Sequence, residues 1–447
     1  MNTVCSSNPR VLLVRPKYRT QLTESVRMVT EPLGLEYLAA VAISEGCEYL
    51  IHDPAITGRS FEDVLAEFKP DIVGITGYYP AKDAMLECAR RAKAENASIL
   101  TVIGGVHAEV NYVDFYQDGV DLVVHSGGTG TFRKVLRVVK SGAERAGMAG
   151  TCHRSESGEW NCNDRVPLDL SQLPLPDRSH FYENYGSFGY LHYGPVALVK
   201  TAYGCPYGCR FCYCKMLNEG RYSERDIEDV VAEIKGINCE RIWIVDDTFL
   251  LDMKRIRSFV DILKKEEVSR EFIIYSRSGF IAEHPEVVPL LKQAGVIDVI
   301  VGMEAIEAEK LSDYNKRLGE DQHRQCVKLL KEAGIECTAL FIMDIDSTFA
   351  DFRALDRWIR DVELTTYTLS VFSPYPGTED YDKYSDRLTT SDCRKWDLSH
   401  LVLKSTGMSR PSFYLLMIWM HLKVLFRNGR LRRHVLCFNR RNASAAS

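Results

Sequence analysis

Cys205, Cys209 and Cys212 stand at a three-then-two spacing in Gly204-Cys205-Pro206-Tyr207-Gly208-Cys209-Arg210-Phe211-Cys212. Three thiolates this close can hold three corners of an iron–sulfur cube. Ferredoxin-type clusters take four Cys ligands, so a three-cysteine loop leaves one iron open to another ligand. Gly204 and Gly208 allow tight turns around a bulky group, and Pro206 stiffens the loop. A zinc site is a competing reading, but it wants a fourth Cys or His at motif spacing, and Cys214 is poorly placed for it. A cluster of reduced surface thiols is the third. Asp344 and Asp346 form a second concentration of chemistry, after the apolar run Thr338 to Met343. Alternate residues of an extended segment share a side. The pair would then face one pocket, bind ammonium or hydroxyl groups, or move a proton if one pKa is raised. The same acids could instead cap a helix begun at Asp346-Ser347-Thr348.

The surrounding pattern supplies the elements that must position these groups. Before residue 145 short aliphatic runs recur at Val11–Val14, Tyr49–Ile51, Asp71–Thr76, Leu100–Ile103 and Leu122–Val124, with helical stretches between them. That alternation predicts an α/β domain with a parallel sheet, whose ligands sit beyond the carboxyl ends of the strands. From Val196 to about residue 385 a second series runs through Val196–Ala202, Arg241–Val245, Phe272–Tyr275, Ile297–Val301, Thr338–Met343 and Tyr367–Phe372. Six βα units suit a partial barrel with its site at the carboxyl ends. The Pro-rich stretch Pro167 to Arg178, within a connector of residues 146–195, reads as extended and as a belt between the two domains.

The cysteine loop resembles that of the radical S-adenosylmethionine (SAM) superfamily. The resemblance implies a 4Fe–4S cluster on Cys205, Cys209 and Cys212, whose open iron chelates SAM, with Phe211 near the adenine. It extends to the ends of the later strands. Asp246 and Asp247 would meet the SAM ammonium by charge-assisted hydrogen bonds, with helix capping as the bland reading. Arg277 would meet the carboxylate, with Ser278 beside it as a further cofactor-binding candidate, and Glu304 the ribose. Lys316 matches a family lysine but reads better as a solvated helix charge. Tyr375, in Pro374-Tyr375-Pro376-Gly377-Thr378, is a pocket candidate.

The N-terminal region, through Pro32–Ala40, Lys69–Ile75 and Gly104–Ala108, resembles the doubly wound cobalamin-binding-type domain that precedes many radical SAM enzymes. His107 is expected to belong to a loop signature and to bind nothing. Two departures argue that cobalamin binding is reduced or lost. Ser126-Gly127-Gly128-Thr129-Gly130 replaces an acidic Gly-Glu-Gly-Glu stretch, and Tyr78 and Tyr79 bring two large rings to the place where a corrin would lie.

The 447-residue chain has 45% hydrophobic and 26% charged residues, as ordinary globular proteins do, and a net charge of −5 gives no general attraction for nucleic acid. The polar stretch Met1–Arg10 has no secretory h-region, so a reducing, cytoplasmic setting is expected, with the other cysteines, Cys152 and Cys162 among them, as small core hydrophobes. No membrane span is expected: the run Phe413–Met420 is too short. The helical region 386–447 ends in a basic tail that includes Arg430, Arg432, Arg433, Arg440 and Arg441. A basic amphipathic end can touch membrane or acidic partners, though a docking helix with a solvated tail is the reading preferred here.

The preferred function is radical dehydration of a vicinal diol of an aminosugar, with Asp344 or Asp346 binding ammonium or taking a hydroxyl proton. Radical SAM diol dehydratases of aminoglycoside biosynthesis would be its relatives. The alternative is a cobalamin-dependent radical SAM methyltransferase, and a third class is a non-catalytic iron–sulfur or corrin carrier. A flavodoxin or ferredoxin is the expected electron donor, and a separate reductase the expected downstream partner.

Overall fold

The computed structural model describes residues 8–17, 28–155, 157–316 and 318–433. Arg440 and Arg441 lie outside them. Two sheets, one parallel over its first five strands and one all parallel, carry the α/β architecture expected from the sequence. The first has seven strands in the order β2-β1-β3-β4-β5-β6-β7. They are β1 (Arg10–Val14), β2 (Glu48–His52), β3 (Ile72–Thr76), β4 (Leu100–Gly104), β5 (Leu122–Val124), β6 (Thr151–Arg154) and β7 (Trp160–Cys162). Leu12 and Val14 pack with the helices Phe61–Phe68 and Lys82–Glu95 on one face. Val11 and Leu13 pack with Leu33–Ser44 and Gly128–Ser141 on the other. Strand alternation thus feeds two cores, which is why β1 reads as an unbroken apolar run.

The sheet does not stop at the expected boundary at residue 145. Strands β6 and β7 add an antiparallel hairpin to β5. Cys152 and Cys162 are register partners in it and are joined as a disulfide, rather than standing apart as core thiols.

The second sheet has six parallel strands in the order β15-β14-β13-β12-β11-β8. They are β8 (Ala197–Val199), β11 (Arg241–Ile244), β12 (Glu271–Arg277), β13 (Val296–Glu304), β14 (Glu336–Met343) and β15 (Thr366–Val371). Each is followed by a helix, and the curled sheet stays open between β8 and β15. A two-residue ladder of β9 (Ala202–Tyr203) against β10 (Ser223–Glu224) brackets the cysteine loop.

The connector fastens the domains through a buried charge network. Arg178 donates to Glu31 of the first domain, to Glu233 Oε1 at 2.7 Å on a barrel helix and to the Leu198 carbonyl at 2.8 Å. Arg225 donates to Glu233 Oε2 at 2.6 Å, and Glu31 also accepts from the Leu198 amide. Beyond β15 the chain returns over both domains. Trp396 meets Tyr79 edge-on at 5.3 Å, and the amides of Thr406 and Gly407 donate to the Ile345 carbonyl. The helix Arg410–Arg427 then covers β15, with Phe413, Met417, Met420 and Val424 in the core.

Candidate active site

The cysteine loop is held by its neighbours at every turn. Gly204 has φ +79°, and a Cβ there would lie 2.2 Å from the Arg221 carbonyl, so this corner requires glycine. Asp246, at the end of β11, is buried and accepts from the amides of Thr201 (2.6 Å) and Ala202 (3.0 Å) and from the Thr201 hydroxyl. Burial raises its pKa, and Lys200 and these donors oppose the rise. The Arg277 guanidinium stacks 3.9 Å above the Tyr207 ring, donates toward Cys209 Sγ at 3.8 Å and also donates to the Lys316 carbonyl. Asn315 Nδ2 holds the Gly208 carbonyl at 2.9 Å, and the Arg210 amide reaches the Tyr314 carbonyl at 3.2 Å.

The donor set fits an iron–sulfur cube. The three thiols are half-buried and free. They do not gather within 4.8 Å of one another, as the ligands of one ion would; Zn–S bonds of about 2.3 Å bring tetrahedral sulfurs closer than that. Burial pushes the Cys205 thiol up to about 11 and raises that of Cys209, where Lys316 and Arg277 pull the other way. A metal that displaces those protons gains ligands already braced by cations.

The other expected cofactor contacts divide. Asp246 and Arg277 are committed to the loop. Asp247 is the freer acid: its Oδ2 is buried without a hydrogen bond and lies 3.8 Å from Lys200 Nζ. Glu304 ends β13 with φ +66° where the register to β14 shifts, a left-handed backbone that costs free energy and clusters at functional positions. Lys316 is buried, not solvated: its ammonium binds Glu304 and donates to the Gly302 carbonyl at 2.7 Å. Ser278 is turned inward, with its hydroxyl 2.7 Å from His323 Nδ1 and no surface for a ligand. Phe211 packs edge-on to Tyr314 at 5.2 Å.

The two acids after β14 part company. The strand ends at Met343, and a turn closed by the Ser347 amide on the Asp344 carbonyl (3.2 Å) breaks the alternation. Asp344 is half-buried and accepts from the Tyr314 hydroxyl at 3.0 Å, while Asp346 is exposed. Burial raises the pKa of Asp344. Tyr375 is anchored through its hydroxyl to the Trp396 carbonyl at 2.8 Å, with its ring 5.5 Å from Tyr213.

The carboxyl ends of the two sheets face each other. The helix Val106–Val110, after β4, meets the segment behind the cysteines: Glu109 accepts from the Asn218 amide at 2.6 Å. Asn111 donates to the Pro376 carbonyl at 2.6 Å. His107 is buried, with Nε2 2.8 Å from Asp114. Tyr79 is spent on packing, 4.8 Å from the His107 ring. Tyr78 is 49% exposed, yet burial raises its hydroxyl pKa, with Cys214 and Asp247 adding to the rise. Burial likewise raises the hydroxyl pKa values of Tyr213 and Tyr275, each of which senses Cys214. Of the Tyr78 and Tyr79 rings, only that of Tyr78 reaches the surface.

Fold and donor set define a radical SAM architecture joined to a cobalamin-type domain. Residues 199–359 match the radical SAM superfamily and residues 19–136 the B12 binding domain, and the chain carries both. Its domains are those of a radical SAM enzyme, with a 4Fe–4S cluster and SAM as cofactors. An uncharacterized methyltransferase of Pyrococcus horikoshii is 27% identical over 88% of this chain and 88% of its own length. The hopanoid C-3 methylase of Methylococcus capsulatus is 26% identical over 86% of this chain and 74% of its own. The anaerobic magnesium-protoporphyrin IX monomethyl ester cyclase of Rubrivivax gelatinosus is 26% identical over 90% and 74%. In fold, the chain is similar to the radical SAM methyltransferase TsrM of Kitasatospora setae with cobalamin and a [4Fe–4S] cluster bound. That likeness has a TM-score of 0.69 at 18% identity, over 85% of this chain and 75% of the other.

These findings overturn the expected dehydration of an aminosugar. The relatives are methyltransferase, methylase and cyclase. They also reverse the doubt about cobalamin, because the B12-binding match runs through Tyr78, Tyr79 and Ser126 to Thr129.

Sequence reasoning missed Lys200, Tyr314 and the role of Lys316. Tyr314-Asn315-Lys316 was the available signal, since all three residues touch the loop or its supports.

Proposed function

We propose that the protein is a cobalamin-dependent radical SAM methyltransferase acting on carbon. The observation that carries this reading is the meeting of the ligand end of the B12-binding sheet with the cysteine-loop side of the barrel, where Glu109 accepts from the Asn218 amide at 2.6 Å and Asn111 donates to the Pro376 carbonyl at 2.6 Å. The methyltransferase and methylase relatives support it across most of the chain. When bound, the cluster with SAM supplies a hydrogen-abstracting radical and cobalamin supplies a methyl group.

The chain's own residues position and insulate these groups. Cys205, Cys209 and Cys212 hold the cluster, while Asp246 and Arg277 fix the loop that carries them. Asp247 is the acid available to an ammonium, and Glu304, pre-set by Lys316, is the acid available to ribose hydroxyls. Tyr78 offers an aromatic face to a corrin. Asp344, poised by Tyr314, is assigned to a polar group of the substrate. The facing domains limit water around a reactive intermediate. An external donor of flavodoxin or ferredoxin type delivers electrons.

The test is anaerobic reconstitution with iron, sulfide and hydroxocobalamin, then desalting and turnover with SAM and titanium(III) citrate. Retained corrin at one equivalent, with both 5′-deoxyadenosine and S-adenosylhomocysteine formed, is expected. A protein that retains the cluster but no corrin refutes the proposal. The cyclase relative marks a second reading, which 5′-deoxyadenosine without S-adenosylhomocysteine would favour.

A further inference from the structure

The helix Arg410–Arg427 is apolar on two sides. One side enters the core. On the other, Leu415, Ile418, Trp419, Leu422 and Phe426 are 43% to 71% exposed. At 100° per residue these five fall within one arc of about 100°, in a stripe roughly 17 Å long. They form most of the exposed large apolar side chains of the barrel half, and a continuous apolar face of this kind marks an interaction site. Beyond Phe426 lie Arg430, Arg432 and Arg433, all exposed. After Asp397 the chain has nine Lys and Arg and no Asp or Glu, within a protein whose net charge is −5. Lys423 and Arg427 are not part of this surplus, because both bind Asp356.

We propose that this face docks on an anionic lipid membrane surface, with the five side chains entering the headgroup–acyl boundary and the arginines meeting lipid phosphates. Charge decides between occupants. A second copy of this chain would bring the same uncompensated arginines against themselves, whereas an anionic bilayer neutralises them. Trp419 suits the boundary, where an indole has one apolar and one wet side. No described helix is long and apolar enough to cross a membrane, so the contact is peripheral. The helix runs from beside segment 404–407, which covers the Asp344–Asp346 turn, back to Asn428, which donates to Glu336 and Thr366 at the starts of β14 and β15, so docking lays the side of the barrel along the lipid. The inference stands apart from the methyltransferase reading and needs no turnover to test.

The full chain is floated with vesicles of phosphatidylcholine alone and of phosphatidylcholine with about one-third phosphatidylglycerol. Flotation with the anionic vesicles is expected, falling about tenfold or more in a Leu415→Ser, Trp419→Ser, Phe426→Ser variant. Because these side chains are exposed, the variant should melt as the parent does. If it does not, Arg430→Glu, Arg432→Glu, Arg433→Glu replaces it, with about a fivefold loss expected per charge. Flotation unchanged by both variants overturns the proposal. So does failure to float on anionic vesicles, whether the protein is a monomer or a dimer that the serine variant dissociates; the latter result would identify a second copy as the occupant.

Discussion

Replacing Arg178 by Met should loosen the joint between the domains by a predictable amount. The Arg178 side chain is 6% exposed and its partners Glu31 and Glu233 are 0% and 3% exposed. Removing one member of a buried ion pair costs about 3–5 kcal/mol, because the other charge is left without compensation. Here the two acids are not equally stranded. Glu233 keeps Arg225 at 2.6 Å, whereas Glu31 keeps no cation, only the Leu198 amide and the neighbouring Glu36 carboxyl. One uncompensated carboxylate, not two, places the loss near the lower bound, about 3 kcal/mol. For domains of this size that is a fall in Tm of about 6–12 °C. The assay is thermal unfolding of the apoprotein followed by circular dichroism, with the Arg178→Met, Glu31→Gln double variant alongside. The double variant should recover part of the loss, since it no longer buries a lone charge. A single-variant fall of under about 2 °C, below 1 kcal/mol, would show that the network does not couple the domains as its geometry states.

Other outcomes follow from the same geometry. Burial, then Glu31, pushes the Glu36 carboxyl up to about 11. The folded state therefore holds a proton that the unfolded chain releases near its ordinary pKa, and stability falls as pH rises above about 4.5 toward 11. Glu36→Gln should flatten that slope, read as equal urea midpoints at pH 6 and 9 where the parent loses stability; an unchanged slope contradicts the assignment. Cys209→Ala should abolish the visible cluster absorption after reconstitution, while Cys214→Ser should retain it; loss in both would make Cys214 a ligand. Lys316→Met leaves Glu304 without its cation beside a strained backbone, so SAM affinity should fall about tenfold by equilibrium dialysis with the cluster intact, a contact worth about 1.4 kcal/mol.

Every barrel strand was legible as an apolar run, and so was the cysteine loop, because local pattern determines both. What failed depended on where a strand ends or on a partner distant in sequence. The expectation for Asp344 and Asp346 assumed that extended backbone continued past Met343, but a turn begins at Asp344. Ser278 follows Arg277 at a strand end, yet the helix it opens points its hydroxyl at His323, 45 residues on. Lys316 looked like surface charge because nothing in its own stretch announces Glu304. The two tyrosines after β3 looked alike, but one packs against Trp396 and the other stays half exposed, a difference set by a segment more than 300 residues away. Cys152 and Cys162 lie ten residues apart, and only the hairpin register makes them neighbours.

The return of the chain over both domains has a consequence for the order of assembly. Synthesis runs from the amino end, so the B12-binding domain and the barrel are both complete before residues 393–407 exist to bridge them. The Trp396–Tyr79 contact and the cover over Ile345 are therefore late events in the life of a nascent chain. Until they form, the space between the domains lacks its final closure.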